Sequence, residues 1–179
     1  MRLNKYISII ILLFCFLCSC AKGGSNLGIK TSSPDKTLAE LSSKTYDESQ
    51  LSEIIKCTGS INELDAQYPI ECLRKTEGTY RAAFLGDGRI AVILFDESGN
   101  RILGNIYSAL QKKSDFSCLA KGQSLEDVKK VDPNGEYLFR YSGRDDTPKV
   151  STHYTKDGYL IVIQYDSSDI IVNIAEELI

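Results

Sequence analysis

The strongest constraint on this chain is that part of it is written twice. Asp87-Gly88-Arg89-Ile90-Ala91-Val92-Ile93-Leu94-Phe95-Asp96 lies over Asp157-Gly158-Tyr159-Leu160-Ile161-Val162-Ile163-Gln164-Tyr165-Asp166, with five of ten positions identical. Downstream, Ile102-Leu103-Gly104-Asn105-Ile106 matches Ile170-Ile171-Val172-Asn173-Ile174, which moves the offset from 70 to 68 and puts a two-residue deletion in the loop between the blocks. Upstream, Gly59-Ser60-Ile61-Asn62-Glu63-Leu64 matches Gly122 and Ser124-Leu125-Glu126-Asp127-Val128, with Gln123 inserted. Three blocks in the same order in both halves point to a duplicated unit.

Each copy reads as a short helix followed by four strands. Ser60 and Ser124 are N-cap candidates with Glu63 and Asp127 three residues on, and Pro69 and Pro133-Asn134-Gly135 stop the helices. β-branched and aromatic runs then alternate with Gly86-Asp87-Gly88, Glu97-Ser98-Gly99-Asn100 and Lys156-Asp157-Gly158, the chemistry of tight hairpins. The spacing predicts strands near 71–75, 80–85, 89–95 and 102–106 in the first copy, and near 136–142, 149–155, 159–165 and 170–174 in the second. An amphipathic helix over 48–56, with Leu51, Ile54 and Ile55 on one face, precedes the first copy. The expected fold class is α+β, two tandem helix-plus-four-stranded antiparallel meander units.

The N-terminus has a different character. Arg2 and Lys5 stand ahead of an apolar run from Tyr6 to Cys18 broken only by Ser8, the order of a secretory signal. The run is shorter than the roughly 20 residues a permanent span needs. Leu17-Cys18-Ser19-Cys20 resembles the bacterial lipobox, which implies cleavage after Ser19 and lipidation of Cys20. Several acyl chains on one cysteine, at about 0.8 kcal/mol per buried methylene, anchor without spanning. Residues 21–37 carry glycines, serines, threonines and Pro34 with few apolar side chains, the composition of a tether reaching roughly 20 to 25 Å. The expected divisions are 1–19 signal peptide, 20–37 lipidated cysteine and tether, 38–118 N-terminal helix and first unit, and 119–179 second unit. Loss of Arg2 and Lys5 takes 21 basic side chains to 19 against 24 acidic, a net charge of −5. That balance argues against nucleic-acid binding, which needs clustered cations.

A lipidated cysteine followed by Gly-x-Ser-x-x-Asp-Val helix starts, clearest over Lys121 to Pro133, and by tandem meanders resembles the fold of the β-lactamase inhibitor proteins and of the small outer-membrane lipoprotein of the barrel-assembly machine. The stretch from Ser124 through Pro148-Lys149-Val150-Ser151-Thr152-His153-Tyr154 to Tyr159 is also similar to a repeat in uncharacterised lipoproteins of Gram-positive bacteria. These resemblances imply attachment to the extracytoplasmic face of a bacterial membrane and a binding role without catalysis.

Candidate chemistry is sparse. His153 is the single histidine and hence the natural neutral-pH base. Strand alternation puts it on one face with Ser151 and Thr155, where it reads as a surface residue available to a partner. No Gly-x-Ser-x-Gly elbow supplies a nucleophile, and a cell-envelope hydrolase or metal-dependent enzyme using His153 is the rival reading. The acidic loops at Asp96–Asn100, Asp145-Asp146 and Asp166–Asp169 lack the spacing of a calcium site, and neither a metal nor a cofactor is expected. Of six cysteines, Cys57, Cys72 and Cys118 remain after processing. One pair, with Cys57 and Cys72 nearest, or three free thiols fit that number equally. Tyrosines are enriched at interfaces. Tyr137, Phe139 and Tyr141 alternate along one predicted strand face and, with Arg140, Arg144 and His153, are the expected docking surface for a protein or glycan.

Overall fold

The computed structural model describes residues 30–76, 78–138 and 149–179. Among the described residues three helices come first: α1 (Leu38–Leu41), α2 (Glu48–Lys56) and α3 (Ile61–Gln67). Strands β1 (Cys72–Thr76), β2 (Thr79–Leu85), β3 (Arg89–Asp96) and β4 (Arg101–Ser108) follow. A 3₁₀ helix (Lys113–Cys118) then leads to α4 (Leu125–Val131) and to β5 (Glu136–Leu138), β6 (Lys149–Tyr154), β7 (Tyr159–Tyr165) and β8 (Ile171–Leu178). The fold is α+β, with two four-stranded antiparallel sheets ordered β1-β2-β3-β4 and β5-β6-β7-β8. β8 runs four residues past the predicted end at 174, and the predicted strand over 136–142 is described only as far as Leu138.

Local chemistry starts each helix. Thr37 with Glu40, Asp47 with Gln50, Ser60 with Glu63 and Ser124 with Asp127 form reciprocal capping boxes, each satisfying two N–H groups that the first turn leaves over. The first N–H groups of α3 and α4 are bonded differently. Ile61 donates to Gly99 O at 2.9 Å and Leu125 to Asp169 O at 2.8 Å, so each helix is pinned to the β-hairpin of the sheet that follows it. Gly99 and Asp169 both take the left-handed conformation there, with φ of 79° and 63°.

The molecule has four layers. One face of the first sheet, with Leu73, Ala82, Phe84, Ala91, Ile93 and Phe95, packs under α2 and α3 through Leu51, Ile54, Ile61 and Leu64. Its other face, with Cys72, Ala83, Ile90 and Val92, meets Val150, Tyr154, Leu160 and Val162 of the second sheet. The outer face of the second sheet, with Ile161, Ile163, Tyr165 and Ile171, lies under α4 and the 3₁₀ helix through Phe116, Leu119, Leu125 and Val128. Strands buried on both faces are apolar almost throughout, which is why β3 runs Ile90-Ala91-Val92-Ile93-Leu94-Phe95 without alternation.

Strand register corrects one reading of the repeat. Leu94 pairs Leu103 and Ala91 pairs Ile106, while Gln164 pairs Asn173 and Ile161 pairs Glu176. Each partner lies 70 residues beyond its counterpart, and both sheets carry a bulge at the same place, Leu94/Phe95 and Gln164/Tyr165. The loop therefore has no deletion. Apolar identity favoured an offset of 68, but β8 is an edge strand and its side chains follow exposure instead.

The tether expectation also changes. From Ser32 the chain is bound to β1: Ser32 N–H donates to Leu73 O at 2.9 Å and Leu73 N–H to Ser32 Oγ at 2.8 Å. The buried Arg74 guanidinium donates to the carbonyls of Ser33 and Lys36. The folded part thus begins ahead of Leu38. Among the described residues no helix is long and apolar enough to cross a membrane.

Phe95 is among the largest fully buried side chains, whereas Val172 on β8 is 44% exposed. Phe95→Ala is expected to lower unfolding free energy by about 3–5 kcal/mol, and Val172→Ala to change it by no more than about 0.5 kcal/mol. Urea denaturation of the two variants measures both.

Candidate functional site

His153 is not on a surface. Its relative exposure is 0%, as is that of Ser151, and Asp132 stands at 3%. Tertiary packing overturned the surface reading. Alternation correctly puts Ser151 and His153 on one face of β6, but that face lies beneath α4 and the 3₁₀ helix, while Thr155, also buried, follows the strand's last residue. Phe116 covers the imidazole with ring centroids 5.2 Å apart, and Tyr137 meets it edge-on at 5.5 Å. Tyr137 therefore also leaves the expected docking surface, its hydroxyl donating to Asp132 O at 2.5 Å. Phe139, Arg140, Tyr141 and Arg144 lie outside the described residues, as do Leu17, Cys18, Ser19 and Cys20. The other described tyrosines of the second sheet are occupied too: Tyr154 and Tyr165 are buried, and Tyr159 is half-buried against the helical layer.

Burial gathers a chain of polar groups that sequence reasoning missed. His153 Nδ1 is 2.8 Å from Asp132 Oδ2, and Nε2 is 2.8 Å from Ser151 Oγ, which lies 2.7 Å from Tyr165 Oη. A carboxylate only accepts, so Nδ1 carries the proton facing Asp132. With a neutral ring, Tyr165 O–H donates to Ser151, Ser151 O–H donates to Nε2, and every donor in the chain is used. Asp132 caps the C-terminus of α4, its second oxygen accepting from Asn134 N–H at 3.0 Å. Pro133-Asn134-Gly135 turns the chain back over the ring. A Cβ at Gly135 would overlap the imidazole, so glycine is required by close approach.

The connectivity is that of a Ser–His–Asp triad, but the surroundings are not. Ser151 lies mid-strand, paired with Tyr137 on one side and Ile163 on the other, so its neighbouring amides belong to the sheet ladder and no pair of donors converges on an oxyanion position. The serine hydroxyl is shared with Tyr165, and no atom of the serine or histidine reaches solvent.

The first sheet supplies a comparison. By register, Ser151 opposite Ile163 corresponds to Ala82 opposite Ile93, and His153 opposite Ile161 to Phe84 opposite Ala91. Tyr137 corresponds in the same way to Leu73 and Tyr165 to Phe95. Even the aromatic cover has its counterpart, Tyr46 lying edge-on to Phe84 at 5.7 Å. The same site is apolar in one sheet and hydrogen-bonded in the other, so the fold does not require the polar groups.

A cleft of about 470 Å³ opens between the Ser32 segment and α3, lined in part by Leu41, Ile61, Asp65 and Glu71. Its two carboxylates accept hydrogen bonds from within the chain, Asp65 from Ile70 N–H and Glu71 from Ser43. Among the described residues no group of three or more His, Cys, Asp or Glu could hold a metal ion, and Cys57, Cys72 and Cys118 are free thiols. No family model, no characterised protein and no solved structure matches the chain.

Burial, with the charge of Asp169, pushes the Tyr165 hydroxyl up to about 12, against the pull of its Ser151 hydrogen bond. Tyr137 and Tyr154 are raised for the same first reason. Above the ordinary tyrosine value near 10 the unfolded chain sheds protons that the folded chain keeps, so stability falls as pH rises. Urea midpoints are expected to hold up to about pH 9 and to decline between roughly pH 10 and 12. Tyr165→Phe removes part of that decline.

Within the polar chain, Ser151→Ala strands His153 Nε2 and is expected to cost about 1–3 kcal/mol. His153→Phe added to it restores the first sheet's pairing, and the double variant falls short of the summed single losses by about 0.5–3 kcal/mol. Urea titrations of the double-mutant cycle read this directly, and additive losses would show that the residues do not act as a unit.

Proposed function

We propose that this chain is a lipid-anchored, extracytoplasmic module of a bacterial membrane that binds or scaffolds another envelope protein without turning over a substrate. The observation that carries the non-enzymatic part is the closure of the Ser151–His153–Asp132 chain, whose nucleophile and base spend their hydrogen bonds on each other inside the core. The anchor rests on Leu17-Cys18-Ser19-Cys20 after a charged start and a short apolar run. Two copies of one helix-plus-meander unit are supported by the common 70-residue register, the shared bulge and the matching pins from α3 and α4 to their hairpins.

Docking, in this reading, belongs to Phe139, Arg140, Tyr141 and Arg144, which fall between Leu138 and Lys149 in the sequence. Both faces of each sheet are covered among the described residues, so Tyr137 and His153 drop out of the docking set. With Ser32 bound to β1, eleven residues separate it from Cys20, a coil reach of roughly 17 to 20 Å. The rival hydrolase reading draws on the triad connectivity alone.

Cys20→Ala is expected to move the protein from the membrane fraction to the soluble one, and retention in the membrane would sink the anchor. A photo-crosslinker at Phe139 should capture one envelope protein, and Tyr141→Ala with Arg144→Ala should abolish the capture. Unchanged capture would remove the docking assignment. Covalent labelling of Ser151 in the folded chain by a fluorophosphonate would instead favour the hydrolase.

A further inference from the structure

Most sheet edges among the described residues are closed or short. β1 carries the Ser32–Lys36 segment. The start of β8 is bonded to Gly122 and Gln123 and the rest of that strand carries the charges of Glu176 and Glu177, while β5 is described over three residues. β4 differs, pairing along its eight residues only with β3 among the described residues. Ala109 N–H donates to Gly88 O, so strand alternation directs the N–H and C=O groups of Gly104 and Ile106 away from β3. Between Arg101 and Ser108 the strand has no charge and no proline. The Arg101 guanidinium is itself turned back onto the carbonyls of Ile55 and Cys57. Ile102 is 38% exposed, and Asn105 is exposed. The last residues, Ile106–Ser108, share a gap of about 130 Å³ with Asn134–Glu136, which leaves the strand from Ile102 to Ile106 as the open length. Uncharged edges of this kind pair with other strands unless lysine, proline or a covering segment prevents it.

We propose that β4 is the contact between two copies of this chain, paired antiparallel about a two-fold axis at Gly104. The strand is complementary to itself. In this register Ile102 of one copy lies opposite Ile106 of the other and Leu103 lies opposite Asn105, while each Arg101 guanidinium, which lies beside Gly104, stays bonded to the carbonyls of Ile55 and Cys57 of its own copy. Gly104 puts no side chain on the axis. Two-fold pairing buries the same patch on both copies and closes the assembly. The N-terminal segment runs along β1, the far edge of the same sheet, three strand spacings or about 14 Å away. That segment therefore does not cover β4.

Sedimentation equilibrium of the full chain in density-matched non-ionic detergent tests the proposal. The protein mass is expected to double with concentration. Ile102→Lys and Asn105→Lys, which install the usual guard of natural edges, should each weaken dimerisation by about tenfold or more. Val172→Lys, at an exposed position on β8, should leave it unchanged. Amide exchange at Gly104 and Ile106 should slow with protein concentration in the wild type and stay fast in the lysine variants, whose melting temperatures report that they fold. A chain that remains monomeric throughout, including one whose β4 amides are protected only by a foreign polypeptide, overturns the proposal. A dimer that neither lysine weakens overturns it equally.

Discussion

The fold depends on the inner faces of the two sheets closing on each other. A four-stranded meander has two faces, and each helical layer covers one. The remaining faces, with Cys72, Ala83, Ile90 and Val92 on one side and Val150, Tyr154, Leu160 and Val162 on the other, would otherwise be left in water at about 25 cal/mol per Å² of apolar surface. Polar groups locate the seam. Tyr107 stacks on Tyr154 with centroids 4.1 Å apart, and Arg81 reaches Glu177 at 3.3 Å. Cys72 Sγ and Arg74 Nε both donate to Ile179 O. These contacts add direction to an interface whose apolar part has none, since hydrophobic burial alone would tolerate sliding of one sheet over the other.

Against that background the polar chain in the second sheet's outer core is a choice and not a necessity. Phe84, Ala82, Phe95 and Leu73 fill the corresponding volume in the first sheet without a polar side chain. Buried hydrogen-bonded groups add little net stability over an apolar replacement, but leaving one of them unpaired is expensive. The consequence is selective. Asp132 must meet His153, and His153 must meet Ser151, so α4, the Pro133–Gly135 turn and β6 have one low-energy arrangement. The first sheet achieves its docking through shape, with Tyr46 against Phe84, and the second through hydrogen bonds.

Hairpin chemistry, capping residues and the matching sequence blocks made the element order legible, and α2 begins and ends where its apolar spacing puts it. What was not legible is which strand face meets water. A polar strand face ordinarily means solvent, and Ser151, His153 and Thr155 form such a face. Here a second layer lies on each side of the sheet, and local alternation carries no information about layers. The partner that neutralises the face, Asp132, is twenty-one residues away and reaches it only because a helix ends there and a Pro-Asn-Gly turn folds back. The spacing of Ser124, Asp127 and Asp132 reveals a helix and its end, but not the imidazole waiting beside it. The residues from Ser32 to Lys36 were not legible for a related reason. Composition shows that they cannot build a core, but a segment without a core can still be held by the free edge of another strand.

That edge gives the N-terminal segment two roles at once. Ser32 and the carbonyls offered to Arg74 satisfy groups that β1 would otherwise expose, so the segment closes one side of the first sheet as it connects to whatever precedes it. Closing an edge this way requires the chain to run along β1, which fixes where the preceding residues leave the fold. Attachment point and edge protection are consequently the same few hydrogen bonds. A change that loosened Ser32 would uncover a strand edge and release the attachment point in one step, whereas β4, three strands away, has no such cover among the described residues.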